Sequence, residues 1–583
     1  MAKMKKILKY ALIAIAVLFA AFLLFLAYVA IKVDPNDYKP QIVAFVRDET
    51  GRTLNLEGRI GLKLFPRIGL NLGRASLSGP QGKGQFASVD NAMLDIAWLP
   101  LLRGGLEVDR IVIDGLHVAL VRHPDGTTNY DDLASGKGKN GKKPEFDIGG
   151  IEIANSSISL EDEKTGSKRE FDDIALATGR LKEGVHTDFS LGWVMKDAGG
   201  ESRLSLKSGL LPGPGSYALD GIDLGFSGGK YAIAVKGGAE IDMEKQSVSA
   251  DLSAKFDDSH ARAKLAMKNF ASPAYHFDVG IDRLDADRYL AGPKDSGPEK
   301  PFDLSFLRKL DASGNLAIGT LRIYGLQLSN FALGIHAADS RLKLDPIRAD
   351  LYQGKSAGSA VVEALAVPKF RLKENLSGIS VGPLIKDMTK KDILEGRGAV
   401  SVDLTASGNL VGNLKKSLGG RASLRLTDGA VRGIDLAAVL RGIQSKIKGA
   451  QSGTANASEK TDFSELAATF DIRNGVAHNS DLAAKSPLFR LGGEGDIDIG
   501  RSTIDYLARV SVVATLQGQG GADLSSLKGV TVPVRISGPF DSLHYSLDIG
   551  SMTSGALKAK VEQKKTEIKG KVKEQILKGL FGN

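Results

Sequence analysis

The stretch TLNLEGRIGLKLF, residues 53–65, decides the fold. Leu54, Leu56, Ile60, Leu62 and Leu64 share one parity, and Asn55, Glu57, Arg59 and Lys63 fall between them. Successive side chains of a strand leave opposite faces, so the five aliphatic residues share one face and the polar ones the other. The pattern recurs at Ile111 and Ile113, at Leu116, Val118 and Leu120, at Ile151 and Ile153, and at Ile158 and Leu160. It returns in SADLSAKF, GNLAIGTLRIYGLQL, SRLKLDPIRADLY, GRGAVSVDLTASG, RASLRLTDG, EGDIDIG and VTVPVRISGPF. Gly, Asn, Asp and Pro punctuate these runs as hairpin turns require, for example in HPDGTTNY around Asp125 and Gly126.

The reading is a mainly β chain whose sheet is mostly antiparallel, each strand having one dry and one wet face. The dry face is built from Leu, Ile, Val and Ala; aromatics are 6% of the 583 residues, and 69 are Gly. Such a face must be hidden. A closed sandwich core hides it, and so does a curled sheet whose apolar interior holds a ligand. Periodicity alone does not separate the two, and a closed core is the commoner outcome.

Helices are few. DPNDYKPQIVAFVRDETG reads as one short helix capped by Asp34 or Asn36, with Ile42, Val43, Phe45 and Val46 on its apolar side. Further candidates are FDLSFLRKL at 302–310, VGPLIKDMTKKDIL at 381–394 and DLAAVLRGIQSKIKG at 435–449. Residues 135–145 and 449–460 read as loops.

The net charge of +9 sits at the ends. Residues 1–32 carry +5 and residues 551–583 another +5, which leaves about −1 for everything between. A nucleic-acid binder needs a basic stripe on its folded body, so nucleic acid is excluded as a partner. Residues 10–31, YALIAIAVLFAAFLLFLAYVAI, contain no charge and are long enough to cross a bilayer of ~30 Å. Lys3, Lys5, Lys6 and Lys9 precede them, while Asp34 and Asp37 follow. The positive-inside rule then places residues 1–9 in the cytoplasm, 10–31 as an uncleaved transmembrane helix, and 32–550 on the far side. At the other end, Leu557, Val561, Ile568, Val572, Ile576 and Leu580 follow a helical spacing among lysines. Residues 551–583 therefore read as a basic amphipathic C-terminal helix, a membrane contact or end-gate of the sheet, or else a cap on its last strands or a solvated tail.

No motif carries chemistry. The absence of Cys removes disulfides and thiolate metal sites. GKGKNGKK at 136–143 lacks the hydroxyl of a P-loop and runs into Pro144 instead of a helix. The eight His are scattered, with no HExxH, and there is no GxSxG nucleophile elbow. Asp496 and Asp498 in DIDIG lack the further oxygen ligands of a calcium loop.

Five segments in order resemble the bacterial AsmA family: 34–79, DPNDYKPQIVAFVRDETGRTLNLEGRIGLKLFPRIGLNLGRASLSG; 95–133; DPIRADLYQGKSAGSA; GGRASLRLTDGAVRGIDL; and 461–513. The resemblance implies an inner-membrane anchor, a periplasmic body related to bridge-like lipid-transfer proteins, no catalytic residue and no cofactor. It implies a long, curved β-sheet whose apolar groove carries phospholipid between the inner and outer membranes in support of outer-membrane assembly. An outer-membrane or periplasmic protein partner is a further implication. Under this reading Leu54, Leu56, Ile60, Leu62, Leu64, Ile111, Ile113, Val118, Leu120, Ile151 and Ile153 line the groove. The alternative is an envelope assembly factor that binds outer-membrane protein precursors through exposed strand edges and carries no lipid.

Overall fold

The computed structural model describes residues 34–63, 68–97, 108–134, 147–197, 200–229, 231–290, 301–432, 460–487, 489–513 and 531–548. The segment 10–31, Leu64, the candidate helix at 435–449, most of the two loops and the tail 551–583 lie outside these residues. Among the described residues no helix is long and apolar enough to cross a membrane. They form 27 strands and four short α-helices, divided between two units, Met1–Ala271 and Ser272–Asn583.

The first unit holds β1 (Leu54–Leu56), β2 (Gly61–Lys63), β3 (Ile68–Ser78), β4 (Gln85–Ile96), β5 (Val108–Arg122), β6 (Ile151–Asp162) and β7 (Ser167–Thr178). It continues with β8 (Thr187–Asp197), β9 (Gly200–Gly213), β10 (Ser216–Gly228), β11 (Tyr231–Asp242), β12 (Ser247–Phe256) and β13 (Ser259–Lys268). Its helices are α1 (Lys39–Thr50) and α2 (Asp131–Ala134). Residues 53–65, which read as one alternating run, are two strands: β1 and β2 pair with opposite ends of β3. Parity survives the break, because Leu54, Leu56 and Leu62 are half-buried, Ile60 is buried, and Asn55, Glu57, Arg59 and Lys63 are exposed. From β3 to β13 each strand pairs with the next, antiparallel except for the parallel pair β5 and β6. The turn at Asp125 and Gly126 is present and folds Thr128 back antiparallel against Arg122, but the next full strand, β6, lies parallel to β5. A parallel pair needs a long crossover, and this one runs through α2.

The dry parity in β5 changes between Ile113 and Leu116. Gly115 is the cause: its φ of +68° is a left-handed backbone that flips the alternation. Asn155 on β6 (φ 50°) and Asp173 on β7 (φ 50°) repeat the irregularity on the next two strands. The register shifts on both sides of Ser156 and between Asp172 and Ala175. Aligned bulges bend the strands that carry them. A Cβ at residue 115 would also meet Asp90 Oδ2 at 2.5 Å. Gly115→Ala is expected to cost about 1–2 kcal/mol, read as a lower denaturation midpoint of Trp193 fluorescence, whereas Asn155→Gly is expected to cost far less.

At the N-terminal end Asp34 accepts a hydrogen bond from the Asn36 amide (2.9 Å) and caps a 3-10 turn, not α1 itself. Phe45 is two-thirds exposed and does not belong to the buried side of α1. Gly51 ends α1 with φ 69° and hands the chain to Arg52, which is fully buried. The Arg52 guanidinium lies over the Phe86 ring at 4.3 Å. It donates to both carboxylate oxygens of Asp132 (2.9 and 2.5 Å) and to the carbonyl of Asn129 (2.8 Å). One side chain thereby ties the end of α1 to β4 and to α2.

The second unit holds β14 (Ala274–Asp285), β15 (Asp311–Ile323), β16 (Leu326–Ala338), β17 (Arg341–Leu351), β18 (Gly354–Glu363), β19 (Lys369–Ser380) and β20 (Arg397–Ser407). It continues with β21 (Gly419–Arg432), β22 (Lys460–Arg473), β23 (Val476–Lys485), β24 (Phe489–Asp498), β25 (Thr503–Val512), β26 (Thr531–Pro539) and β27 (His544–Leu547). Its helices are α3 (Val381–Thr389) and α4 (Val411–Ser417); the segment at 302–310 holds only a 3-10 turn, Ser305–Arg308. β14 and β15 are parallel, and each later strand pairs antiparallel with its neighbour. The run GNLAIGTLRIYGLQL is not one strand, because Tyr324 and Gly325 form a two-residue turn inside it. Both have positive φ, as do Tyr352 and Gln353, and Asn474 and Gly475, which is the hairpin turn whose twist matches the flanking strands.

Candidate functional site

Residues directly opposite one another on paired strands share a face. In the first unit the register therefore joins the dry positions into rows that cross the sheet. One row runs Gly73, Ala92, Ile113, Ile153, Leu176, Leu191, Leu206, Leu224, Val235, Ala254, Ala261, one residue from each of β3 to β13. It contains no polar side chain. At about 4.8 Å per strand it covers roughly 48 Å of sheet. Beside it, Leu70 meets Leu94, Leu94 meets Ile111, and Ile111 meets Ile151. Beyond the Gly115 bulge, Leu54 meets Leu77, then Ala87, Val118, Ile158, Phe171 and Met195 follow. Leu120 faces Leu160, Leu56 faces Ala75, and Leu62 faces Leu70. Ten of the eleven sequence-predicted lining residues thus fall on or beside these rows, Ile60 in the link between β1 and β2; Leu64 lies outside the described residues.

Sequence reasoning read a strand at SADLSAKF but named no lining residue on the half of the face beyond β7. Its signal was present in Leu204 and Leu206, Leu224 and Phe226, and Ile233 and Val235, but short residues and glycines dilute the alternation there. Phe171 and Trp193 pack edge to face with ring centres 5.2 Å apart.

Every member of the main row is half-buried, from Gly73 to Ala261. Among the described residues of this unit only Ile60, Ala75, Phe86 and Val194 are buried aliphatic or aromatic side chains. The apolar face is therefore lined but not sealed. The reverse face is wet: Lys207, Asp223, Lys236, Ser253 and Arg262 face one another across β9 to β13 and are exposed. Ion pairs lace it, including Lys196 with Asp172 (3.1 Å) and Lys236 with Asp223 (3.5 Å). At the start of β6 Asp147 is held at about 2 by hydrogen bonds from Arg180 and then Lys182. A depression of about 680 Å³ lies over the small residues Gly192, Ser205, Gly225 and Ala234, which the register puts on the reverse side from Leu191, Leu206, Leu224 and Val235. Trp193, Leu204, Phe226 and Ile233, which the register joins in the neighbouring row of the dry parity, also line it.

The second unit treats its dry face differently. A row of Ile335, Leu344, Ala360, Leu372 and Leu404 crosses β16 to β20, and Leu372 is 39% exposed. The next row is interrupted by Gly358 and by the carboxylate of Glu374, which accepts from the Ser356 hydroxyl (2.8 Å). Farther along, α3 closes the face. Leu351, Ile379, Val381, Leu384, Leu426, Phe463, Leu466 and Ala484 form a sealed core. Tyr352 donates to Asp387 on α3 (2.6 Å), and burial, then Asp387, pushes its hydroxyl up to about 12. Buried Asn479 accepts from the Tyr506 hydroxyl and donates to the Thr469 carbonyl (2.8 Å), bracing the bulge between β22 and β23. The expected alternatives, closed core and open face, thus both occur: the first unit's row is open, and the second unit seals its face where α3 overlies it.

Among the described residues no group of three His, Asp or Glu is placed to hold a metal. Comparison with known proteins gives the family. The chain is 20% identical to Protein AsmA of Escherichia coli (strain K12) in a 599-residue alignment that covers 94% of each chain. The model of the AsmA family matches residues 4–289 and 290–482. The chain belongs to the AsmA family, as an envelope protein associated with the inner membrane that has a general, non-enzymatic role in lipid handling.

Proposed function

We propose that the first unit holds phospholipid acyl chains on its apolar face and conducts them across the strands, between the inner and outer membranes. The observation that carries this reading is the eleven-strand row from Gly73 to Ala261, free of polar side chains and half-buried throughout. An acyl chain leaving a bilayer exposes ~0.8 kcal/mol per CH₂ to water. A continuous aliphatic face removes that cost at every step, while headgroups remain at the wet margin. A smooth row without placed polar groups holds no chain in one position, as movement requires. Residues 10–31 are the transmembrane anchor in this proposal, with residues 1–9 cytoplasmic and the body periplasmic. The basic tail with Leu557, Val561, Ile568, Val572, Ile576 and Leu580 is the contact at the other sequence end. The proposed lining is Leu54, Leu56, Ile60, Leu62, Leu64, Ile111, Ile113, Val118, Leu120, Ile151 and Ile153, extended by Leu176, Leu191, Leu206, Leu224 and Val235.

The test is native mass spectrometry of the detergent-extracted full chain. Phospholipid adducts are expected on the wild type, and Leu206→Glu with Val235→Glu is expected to reduce them at least about tenfold, since each charge blocks the row. A lipid-free wild type, with outer-membrane protein precursors retained instead, would support the assembly-factor alternative and sink the conduit.

A further inference from the structure

We infer that α3 and the β15–β16 turn of the second unit form a docking surface for an anionic lipid bilayer. The inference does not rest on the lipid-carrying role of the first unit. α3 buries Val381 and Leu384 in the sealed core, yet its outer side exposes Met388 (63%), and the segment that follows exposes Ile393 (47%). Tyr324, at the tip of the adjoining turn, is 74% exposed. The turn sits against the end of the helix, because a Cβ on Gly325 would lie 3.2 Å from Lys390 Nζ and 3.5 Å from the Asp387 carbonyl. An aromatic, a methionine and an isoleucine therefore project from one end of the strands with nothing covering them among the described residues.

Charge decides what this surface fits. Lys386, Lys390 and Lys391 are exposed, and none has a carboxylate partner among the described residues. The acids nearby are already used. Asp387 accepts from Tyr352. Asp287 accepts from the Gly325 amide (2.9 Å) and from that of Tyr324, and it faces Arg322 (3.5 Å). Asp392 and Glu395 both face Arg432. Free ammonium groups ringing exposed apolar tips, one of them tyrosine, make the pattern of a segment that lies in a membrane interface. Each lysine close to an anionic surface contributes about 1 kcal/mol, so the three together change affinity roughly a hundredfold. A free anion would use the lysines but leave Met388, Ile393 and Tyr324 in water. The bilayer satisfies both halves of the surface.

The chain has no Cys, so Met388→Cys carries a single environment-sensitive fluorophore. The labelled full-length chain, held in a non-ionic amphipol, is mixed with phosphatidylcholine vesicles with or without 30% phosphatidylglycerol. A blue-shifted, several-fold brighter emission is expected with the anionic vesicles alone, weakening as salt is raised. Charge reversal by Lys386→Glu, Lys390→Glu and Lys391→Glu is expected to weaken vesicle binding at least about tenfold. Tyr324→Ser, which removes no charge and touches no core residue, is expected to reduce the blue shift. A label at Ser253→Cys on the wet face of β12 is expected to stay unchanged. The inference is overturned if Met388 responds equally to both vesicle types, if charge reversal leaves the response intact, or if no vesicle changes the emission.

Discussion

Leu426→Ala is expected to destabilise the second unit by about 3–4 kcal/mol, whereas Leu206→Ala in the first unit is expected to cost about 1 kcal/mol. The substitution is the same and only the surroundings differ. Leu426 is 0% exposed and packs against Leu466 and α3, so its loss leaves a cavity that the neighbouring strands cannot fill. Leu206 is half-buried on a face without an opposing layer, so it loses only part of a transfer energy and no cavity forms. Hydrogen exchange of the full chain reads the difference locally. Leu426→Ala should speed exchange across Gly419–Arg432 and Lys460–Arg473, while Leu206→Ala should leave the peptides of β8 to β10 nearly unchanged. Equal costs at the two sites would mean that the face in the first unit is sealed and cannot receive a ligand.

Asp132→Ala is expected to cost about 3 kcal/mol, because it leaves the fully buried Arg52 guanidinium without its counter-charge. The value is at the lower end of the range for broken buried pairs because the Asp132 side chain is itself 37% exposed. Denaturant titration followed by Trp193 fluorescence measures the loss, and Asp132→Asn should recover part of it through the remaining acceptor. The same pair makes the first unit acid-sensitive. Hydrogen bonds from Arg52 hold the Asp132 carboxyl below its ordinary value, and those from Arg180 and Lys182 hold Asp147 at about 2. A carboxylate whose folded pKa is lowered adds stability that is fully present above the unfolded value near 4 and is lost as pH falls through the folded one. The denaturation midpoint should be flat above about pH 5 and drop between about pH 4 and pH 2, and Asp132→Asn should flatten part of that drop.

These residues also mark what could be read from the chain. Alternation at Leu54, Leu56 and Leu62 was legible because a strand has a period of two and one side is dry. It persisted even across the break between β1 and β2, where the backbone leaves the sheet and the parity does not. The parity change after Ile113 was visible, yet its cause, the left-handed Gly115, required backbone geometry. Tyr324 and Tyr352 hid two hairpin turns, since tyrosine is a strand former and the cost of its positive φ is borne by the ladders on either side. The parallel pairs were illegible because parallel and antiparallel strands alternate alike. The contact between Arg52 and Asp132 spans 80 residues, and no local pattern announces it. A helix was expected at 381–394 and α3 fills only Val381–Thr389 of it, and that it seals part of the second unit's face was not legible. The sealing depends on which strands α3 overlies, which is a property of the sheet and not of the segment.

Photo-crosslinking in cells tests most directly whether lipid lies on one face of the first unit. A photoreactive residue is placed in turn at Leu206, Lys207, Leu224, Asp223, Val235 and Lys236, which alternate between the two faces of three adjacent strands. Phospholipid adducts are expected at Leu206, Leu224 and Val235, with none above background at Lys207, Asp223 and Lys236. Adducts of equal yield on both faces, or protein adducts alone at the three aliphatic positions, would contradict a lipid-carrying face.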